Sequence, residues 1–245
     1  MAVAAAVGVC FLALPLLGIL VRAPWSDLGR LLPSDATLTA LRLSMECSFG
    51  ALAISLVVGV PIAWLLARRD FAGKGLVRAL VTVPLVLPPV VGGVALLLAF
   101  GRRGLVPLHL AFTTWGAIAA EAFVAMPFLV LTVEGAIASV DDRYEQVAAT
   151  LGSSPLTAFR RVTLPLVMPG IAAGSALAWA RALGEFGATI TFAGNLPGQT
   201  QTLPLDVYTT LDRDPDAAVA LSLVLLALSV GVLVALRGRW RVAGR

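Results

Sequence analysis

Charged side chains are scarce in this sequence. They make up only 13% of its 245 residues, against ~25% in an ordinary soluble domain. Apolar residues reach 59%, more than a soluble fold of this size can bury, because roughly a third of its surface stays in contact with water. The composition therefore argues against an ordinary soluble enzyme and excludes intrinsic disorder, which requires a polar chain. It predicts that the solvent is lipid.

The residues that usually carry metal and nucleophile chemistry are also rare. The chain has one histidine and two cysteines. Cys10 and Cys47 both fall in apolar runs and no CxxC pair is present, which excludes a disulfide framework and a zinc or iron–sulfur site of the usual spacing. His109 alone leaves little material for metal or Ser–His chemistry.

Six apolar stretches are long enough to cross a bilayer as helices, which takes ~20 residues. Glu121 is the only charge in the fourth stretch, and Arg181 and Glu185 are the only charges in the fifth. The first lacks the basic start of a signal peptide and is predicted to be a helix. We therefore predict an all-α polytopic membrane protein, a single domain over 1–245, with spans at 1–21, 47–67, 79–101, 115–133, 169–193 and 217–236.

The basic residues orient these spans. With both termini in the cytoplasm, 11 basic side chains lie on the cytoplasmic side and 6 outside, which agrees with the positive-inside rule. We predict a multi-pass protein of the cell membrane in this orientation. The cytoplasmic set is Arg68, Arg69, Lys74, Arg78, Arg143, Arg160, Arg161, Arg237, Arg239, Arg241 and Arg245.

One connection between spans is long. It covers about 135–168, on the predicted cytoplasmic side. Ser139, with Asp142 three residues later, is typical of a capping box and predicts a helix through Leu151. Gly152 is a natural helix stop, and Ser154 followed by Pro155 predicts a second short helix that ends before Val162. This shape suits docking in another protein's groove, or else an amphipathic helix resting on the membrane surface.

The same segment resembles the EAA motif of ABC importer permeases. Glu145, Gln146, Val147 and Ala148 precede Gly152, and nine residues after Leu151-Gly152 the chain reads Val162-Thr163-Leu164-Pro165. Gln146 stands where the family usually has Glu, and Glu145 lies one position early. The resemblance implies a coupling helix that docks on a cytoplasmic ATP-binding subunit. The residues it implies for this coupling are Glu145, Gln146, Val147, Ala148, Gly152, Ser153, Ser154, Pro155, Val162, Leu164 and Pro165.

Two further blocks, Gly184 to Asn195 and Leu85 to Gly93, resemble molybdate-importer permeases, with sulfate permeases similar. The resemblance covers about 41–236. It implies a type I ABC importer permease (MetI-like) architecture that forms the pathway as a homodimer. The implied partners are a second copy, two ABC ATP-binding subunits and an extracytoplasmic molybdate-binding protein, with no nucleic acid. It leaves molybdate, tungstate and, less favoured, sulfate as cargo.

Prolines and glycines break up the third span, and such breaks often line the substrate path of a transporter, although a packing kink is the equal alternative. The small residues of the fifth span, including the Gly170–Gly174 pair, suit either a subunit interface or close packing within one subunit. Arg181 and Glu185 share a helix face and predict an ion pair, with or without a pathway role. The predicted pathway residues are Pro88, Pro89, Gly184, Glu185, Gly187, Thr189 and Thr191.

Other function classes fare worse. No G-x-x-x-x-G-K-S/T loop is present, so ATP and Mg²⁺ are expected on a partner chain and this chain is predicted to need no cofactor and to be no enzyme. A secondary transporter predicts inverted sequence halves, which we do not find. A membrane enzyme needs a polar cluster, and Glu121, Arg181 and Glu185 are too few.

Overall fold

The computed structural model describes residues 1–31, 34–106 and 108–240, and every regular element within those ranges is helical. Two of the elements are single π-helical turns, which we call the first and second π-turns. In chain order the elements are α1 (Ala2–Arg22), α2 (Leu28–Leu31), α3 (Asp35–Ile54), the first π-turn (Ser55–Gly59), α4 (Val60–Arg68), α5 (Lys74–Val86), α6 (Pro89–Phe100), α7 (Thr114–Ala138), α8 (Arg143–Thr150), α9 (Pro155–Ala158), the second π-turn (Phe159–Thr163), α10 (Leu164–Leu183), α11 (Gly187–Phe192), α12 (Leu203–Leu211) and α13 (Pro215–Trp240).

Five helical units of the described residues are long and apolar enough to cross a membrane. They are α1, α3 with α4, α7, α9 with α10, and α13. The predicted third span is instead two helices, α5 and α6, because Leu87 and Pro88 between them are extended. A proline disfavours helical backbone in the residue before it. The predicted all-α, multi-pass class is confirmed, and the count of six holds only when α5 and α6 are taken as one broken crossing.

The predicted fifth span is also divided, so the expectation of one helix over 169–193 was wrong. The helix starts earlier, at Pro155, and α10 ends at Leu183. The Glu185 carboxylate then accepts a hydrogen bond from the backbone N–H of Ala188 at 2.7 Å. This side chain takes the place of a backbone acceptor, so the chain leaves α10 and starts again as α11.

Both π-turns stand in the same position relative to a proline. The first ends at Gly59, two residues before Pro61, and the second ends at Thr163, two residues before Pro165. Proline has no N–H and collides with the carbonyl four residues earlier. A wider turn accommodates that defect without ending the helix. Pro165 therefore does not stop the helix. The prediction that the helix begun at Pro155 ends before Val162 was wrong, because it continues through the second π-turn into α10.

The core is built around α7, which packs against α3, α4, α10 and α11. Its residues Leu129, Val130 and Val133 are fully buried. Gly170 and Gly174 of α10 face this helix, since a Cβ at Gly170 would overlap Ala136 and one at Gly174 would lie 3.2 Å from Thr132. The glycine pair therefore serves close packing within the subunit.

The N-terminal helix, α1, lies outside the core around α7. None of the residues of α1 is buried, and it contacts α13. Its apolar side chains are left for lipid or for another chain. Of the arginines that orient the spans, Arg241 and Arg245 lie outside the described residues.

Candidate functional site

The long connection is shorter than the sequence suggested. α7 extends to Ala138 because Ile137 is fully buried in the core, and helix resumes at Pro155, so the connection covers only 139–154. The prediction that Ser139 starts a helix was wrong, because Ser139 ends α7. Its backbone N–H donates to Gly135 at 3.1 Å and its hydroxyl to Ala136 at 2.7 Å.

The two short helices of this connection meet at a glycine turn. α8 ends at Thr150, and Gly152 then has a φ of +83°, a left-handed conformation that glycine adopts at little cost. Ser154 accepts a hydrogen bond from the Thr157 N–H at 3.3 Å, and Pro155 occupies the first turn of α9. The predicted stop at Gly152 and the predicted cap at Ser154 are confirmed.

The outer face of this connection is exposed and apolar. Tyr144, Val147 and Leu151 are spaced three and four residues apart, which places them on one helix face. All three are exposed, Leu151 at 81%, and they line an open cavity of about 620 Å³. Leu156 of α9 is exposed as well. Exposed apolar side chains grouped in this way are typical of a surface that binds another protein.

The other predicted coupling residues divide by exposure. Ala148 is the buried residue of α8, while Gln146, Ser154, Pro155 and Pro165 are exposed. Ser153, Val162 and Leu164 are half-buried. Val147, Ala148 and Val162 line one cavity of this region, and Glu145, Gln146, Ser153 and Pro155 line another. Leu164 and Pro165 lie beyond them, in the first turn of α10.

Glu145 binds across the connection. Its Oε1 accepts a hydrogen bond from the Thr163 hydroxyl at 2.5 Å and lies 3.4 Å from Nε of Arg68. Arg68, the last residue of α4, also donates to the Val140 carbonyl at 2.9 Å and pairs with Asp142. Sequence reasoning assigned Arg68 only to a membrane side. Its partners lie more than seventy residues away in the chain, so no local pattern could identify them.

The helix breaks of the two divided spans pack against each other. A Cβ at Gly187 would lie 2.8 Å from Cβ of Pro89, and one at Gly93 would lie 2.6 Å from Cβ of Thr191 and 2.9 Å from the Ala188 carbonyl. We call this contact between α6 and α11 the break layer. Three residues of the predicted pathway meet there, namely Pro89, Gly187 and Thr191, and Pro88 directly precedes α6.

The remaining predicted pathway residues differ in access. Gly184 is exposed and Thr191 half-buried, with the Thr191 hydroxyl donating to the Gly187 carbonyl at 2.8 Å. Thr189 is fully buried, and its Oγ1 has no hydrogen-bond partner among the described residues. Thr189 is therefore next to the break layer but closed off in this conformation.

The predicted ion pair of the fifth span is present. Nη1 of Arg181 lies 2.7 Å from Oε2 of Glu185, whose side chain is 1% exposed. The same carboxylate caps α11 through Ala188. Glu121 of α7 is equally buried, and its Oε2 has no partner among the described residues. Pairing offsets the cost of a charge in lipid for Arg181 and Glu185.

Comparison with known proteins gives a consistent family. Residues 59–241 match the model of the binding-protein-dependent transport system inner membrane component. The chain is 46% identical over 239 residues to the molybdenum transport system permease protein ModB of Mycobacterium tuberculosis, covering 95% of this chain and 90% of that protein. It is 34% identical over 231 residues to the molybdate/tungstate transport system permease protein WtpB of Pyrococcus abyssi, covering 94% and 90%.

Solved structures give the same fold at low identity. A bacterial ABC transporter involved in the import of the acidic polysaccharide alginate matches with a TM-score of 0.69 at 18% identity, over 96% of this chain and 91% of that one. At this identity the match establishes the arrangement of the helices and nothing about cargo. The type I importer architecture expected from the sequence is confirmed.

Proposed function

The chain belongs to the family of binding-protein-dependent transport system inner membrane components, and we propose that it is the permease subunit of an ATP-driven molybdate importer. Identity to the molybdenum and the molybdate/tungstate permeases extends over more than nine-tenths of the chain, which supports an oxyanion of this type as cargo. Molybdate and tungstate are tetrahedral dianions of the same charge, so both fit the proposal.

The observation that carries the coupling part of the proposal is the exposed turn at Gly152. It holds α8 outside the spans, just before α9 begins the helical unit that continues into α10, with Tyr144, Val147 and Leu151 unburied. An apolar helix face of this kind suits a groove on a partner. The chain has no phosphate loop, so the partner is an ATP-binding subunit that supplies both ATP and Mg²⁺.

The cycle follows from two copies of this chain around one pathway, each docked on one ATP-binding subunit. ATP binding closes the two ATP-binding subunits and moves both Gly152 turns. The pathway then faces an extracytoplasmic binding protein and receives the anion, and hydrolysis opens it towards the cytoplasm. Both termini lie in the cytoplasm in this arrangement.

The pathway runs beside the break layer. The chain leaves helical geometry at Leu87–Pro88 and again at Gly184–Phe186, and irregular backbone at membrane depth is tolerated where it lines a cavity or is buried in protein. Thr189 offers a hydroxyl that no described residue hydrogen-bonds. A neutral donor binds an oxyanion weakly enough to release it.

Replacement of Gly152 tests the coupling proposal. A Cβ there would meet no atom within 4 Å, so the glycine is needed for its positive φ, at a cost of about 1–2 kcal/mol for an ordinary residue. Gly152→Val should abolish capture of the ATP-binding subunit in a pull-down from detergent extracts. Gly152→Asn should retain it, because Asn tolerates the left-handed conformation. Equal capture by Gly152→Val and wild type would contradict the docking surface.

Oxyanion competition tests the cargo. The permease, two ATP-binding subunits and binding protein are reconstituted in vesicles, and ATP-dependent uptake of labelled molybdate is measured. We expect unlabelled molybdate and tungstate to compete and sulfate to compete weakly. If sulfate competes more strongly than molybdate, the chain is a sulfate permease. Uptake driven by an ion gradient without ATP would indicate a secondary transporter.

A further inference from the structure

We propose that Arg68 is a positioning residue that transmits movement of α8 and α9, the coupling helices, to the second span. The inference rests on the proposed function and names the route by which movement of α8 and α9 reaches the membrane. In this proposal Arg68 acts through other residues of the chain and not on cargo or ATP directly. Its role is to hold the end of α4 against the long connection.

The guanidinium of Arg68 contacts three residues of the connection. Arg68 donates to the Val140 carbonyl at 2.9 Å, pairs with Asp142, and lies 3.4 Å from Glu145. Val140 and Asp142 lie in the turn between α7 and α8, while Glu145 lies in the first turn of α8. The planar fork of an arginine can bind several acceptors at fixed angles, whereas a lysine ammonium acts as a point charge.

The Arg68 side chain is buried against the connection. The Arg68 side chain is only 8% exposed, although it lies at a helix end, and its partner Glu145 is 25% exposed. The other carboxylate partner of Arg68, Asp142, is 66% exposed. The shielded pair with Glu145 is therefore the less screened by salt of the two. By contrast, the neighbouring Arg69 is exposed and lies over the Trp64 ring at 5.5 Å. Arg68 is thus built into the connection and Arg69 is not.

The contacts of Arg68 connect directly to membrane-spanning helices. α3, the first π-turn and α4 form one helical unit over Asp35–Arg68, so Arg68 is the end of the second span. Glu145 also accepts from Thr163 in the second π-turn, which leads directly into α10. One network therefore joins α8 to the second and the fifth spans. The second π-turn contains Thr163 itself, and the first lies in the same helical unit as Arg68 and ends nine residues before it. Such turns often occur at functional sites in helices.

The test separates coupling from assembly. Arg68→Ala and the matched control Arg69→Ala are each reconstituted with the ATP-binding subunit and binding protein, and molybdate uptake and ATP hydrolysis are measured together. We expect Arg68→Ala to retain capture of the ATP-binding subunit and ATP hydrolysis, but to transport at least tenfold less molybdate per ATP. Arg68→Lys should give an intermediate ratio, and Arg69→Ala the wild-type ratio.

A double-mutant cycle tests the network itself. Glu145→Gln keeps an acceptor for Thr163 but removes the charge facing Arg68. If the residues act together, Arg68→Ala with Glu145→Gln should lower the transport ratio no further than Arg68→Ala alone. Additive losses would contradict the network. If Arg68→Ala does not accumulate, Glu145→Gln alone should lower the ratio, and an unchanged ratio overturns the proposal.

Different results would overturn the proposed function and the proposed role of Arg68. Absence of ATP-dependent molybdate uptake by the wild-type complex would overturn the proposed function. A wild-type complex that transports, beside an Arg68→Ala complex with the same molybdate per ATP, overturns only the role of Arg68.

Discussion

Thr189 is a residue whose setting favours function over stability. It is fully buried, yet its hydroxyl has no hydrogen-bond partner in the part of the chain that the structure describes. A buried hydroxyl without a hydrogen bond is costly. Replacement by the isosteric valine removes that cost. We propose that this hydroxyl meets a ligand in another conformation of the pathway.

Thr189→Val should therefore lower molybdate uptake without loss of assembly. The thermal unfolding temperature in detergent should stay equal or rise, because no hydrogen bond within the protein is lost. The measurements are reconstituted uptake and a melting curve, with Thr191→Val as comparison, since that hydroxyl already bonds Gly187. Unchanged uptake in Thr189→Val would remove Thr189 from the pathway.

Asp206, outside the spanning helices, gives a pH-dependent prediction. It lies in α12, on a cavity of about 250 Å³, and burial raises the pKa of its carboxyl above the ordinary value while a hydrogen bond from Thr210 partly opposes this. The folded state therefore holds the proton more tightly than the unfolded state. This contribution to stability is present below the ordinary pKa and is lost as pH rises through the folded pKa.

Asp206→Asn should consequently melt at a higher temperature than wild type at neutral pH, with the difference shrinking as the pH approaches ~4. Melting curves in detergent across this range provide the measurement. Asp212→Asn, at an exposed neighbouring carboxylate, is the matched control. A difference for Asp206→Asn that grows on acidification would reverse the sign and contradict the assignment.

At the scale of elements, the decisive contact is between α6 and α11. Neither is long enough to span a membrane, and each starts just after a break. They approach closely because Gly93 and Gly187 present no side chain where the other helix passes. The same device joins α10 to α7 through Gly170 and Gly174. Small residues permit such backbone contact, which drives helix association in lipid.

Adjacent glycines of α6 should respond differently to alanine. A Cβ at Gly93 would meet the Ala188 backbone carbonyl at 2.9 Å, whereas one at Gly92 would meet only the Phe123 ring at 3.1 Å. A ring can shift and a packed backbone cannot, so Gly93→Ala should destabilise by about 1–3 kcal/mol. Gly92→Ala should be milder. Melting temperature and uptake report both effects, and equal behaviour of the two variants would contradict the break layer.

At the scale of the whole molecule, the exposed apolar surface of α1 and of the other spans requires lipid or a second copy as its surroundings. Orientation is the property that charge decides. The connection at 139–154 should lie in the cytoplasm and the segment between α11 and α12 outside, because most basic residues belong to the first side.

Labelling of single cysteines checks this orientation. Thr150→Cys and Gln199→Cys, both at exposed positions, are introduced into a chain with Cys10→Ser. A membrane-impermeant maleimide should label position 199 in intact spheroplasts and position 150 only after permeabilisation. The opposite pattern would invert the topology. The parent chain serves as the control, because Cys47 is buried.

Local patterns in the sequence determined the membrane class, most span positions, the Gly152 turn and the Ser154 cap. Each follows from neighbours a few residues apart, through apolar run length, a positive φ or a side chain that binds the next turn. The Arg181–Glu185 pair was equally readable, since four residues separate its members on one helix.

Only the tertiary structure decided the rest. Ser139 ends α7 rather than starting a helix because Ile137 is buried in a core that local pattern does not reveal. Glu185 divides a continuous apolar run by capping α11, and the Gly170–Gly174 pair faces α7 rather than a second subunit. The partners of Arg68 lie far away in the chain. Packing and ion pairs between distant segments depend on how the helices are arranged, and that arrangement minimises the free energy of the whole bundle.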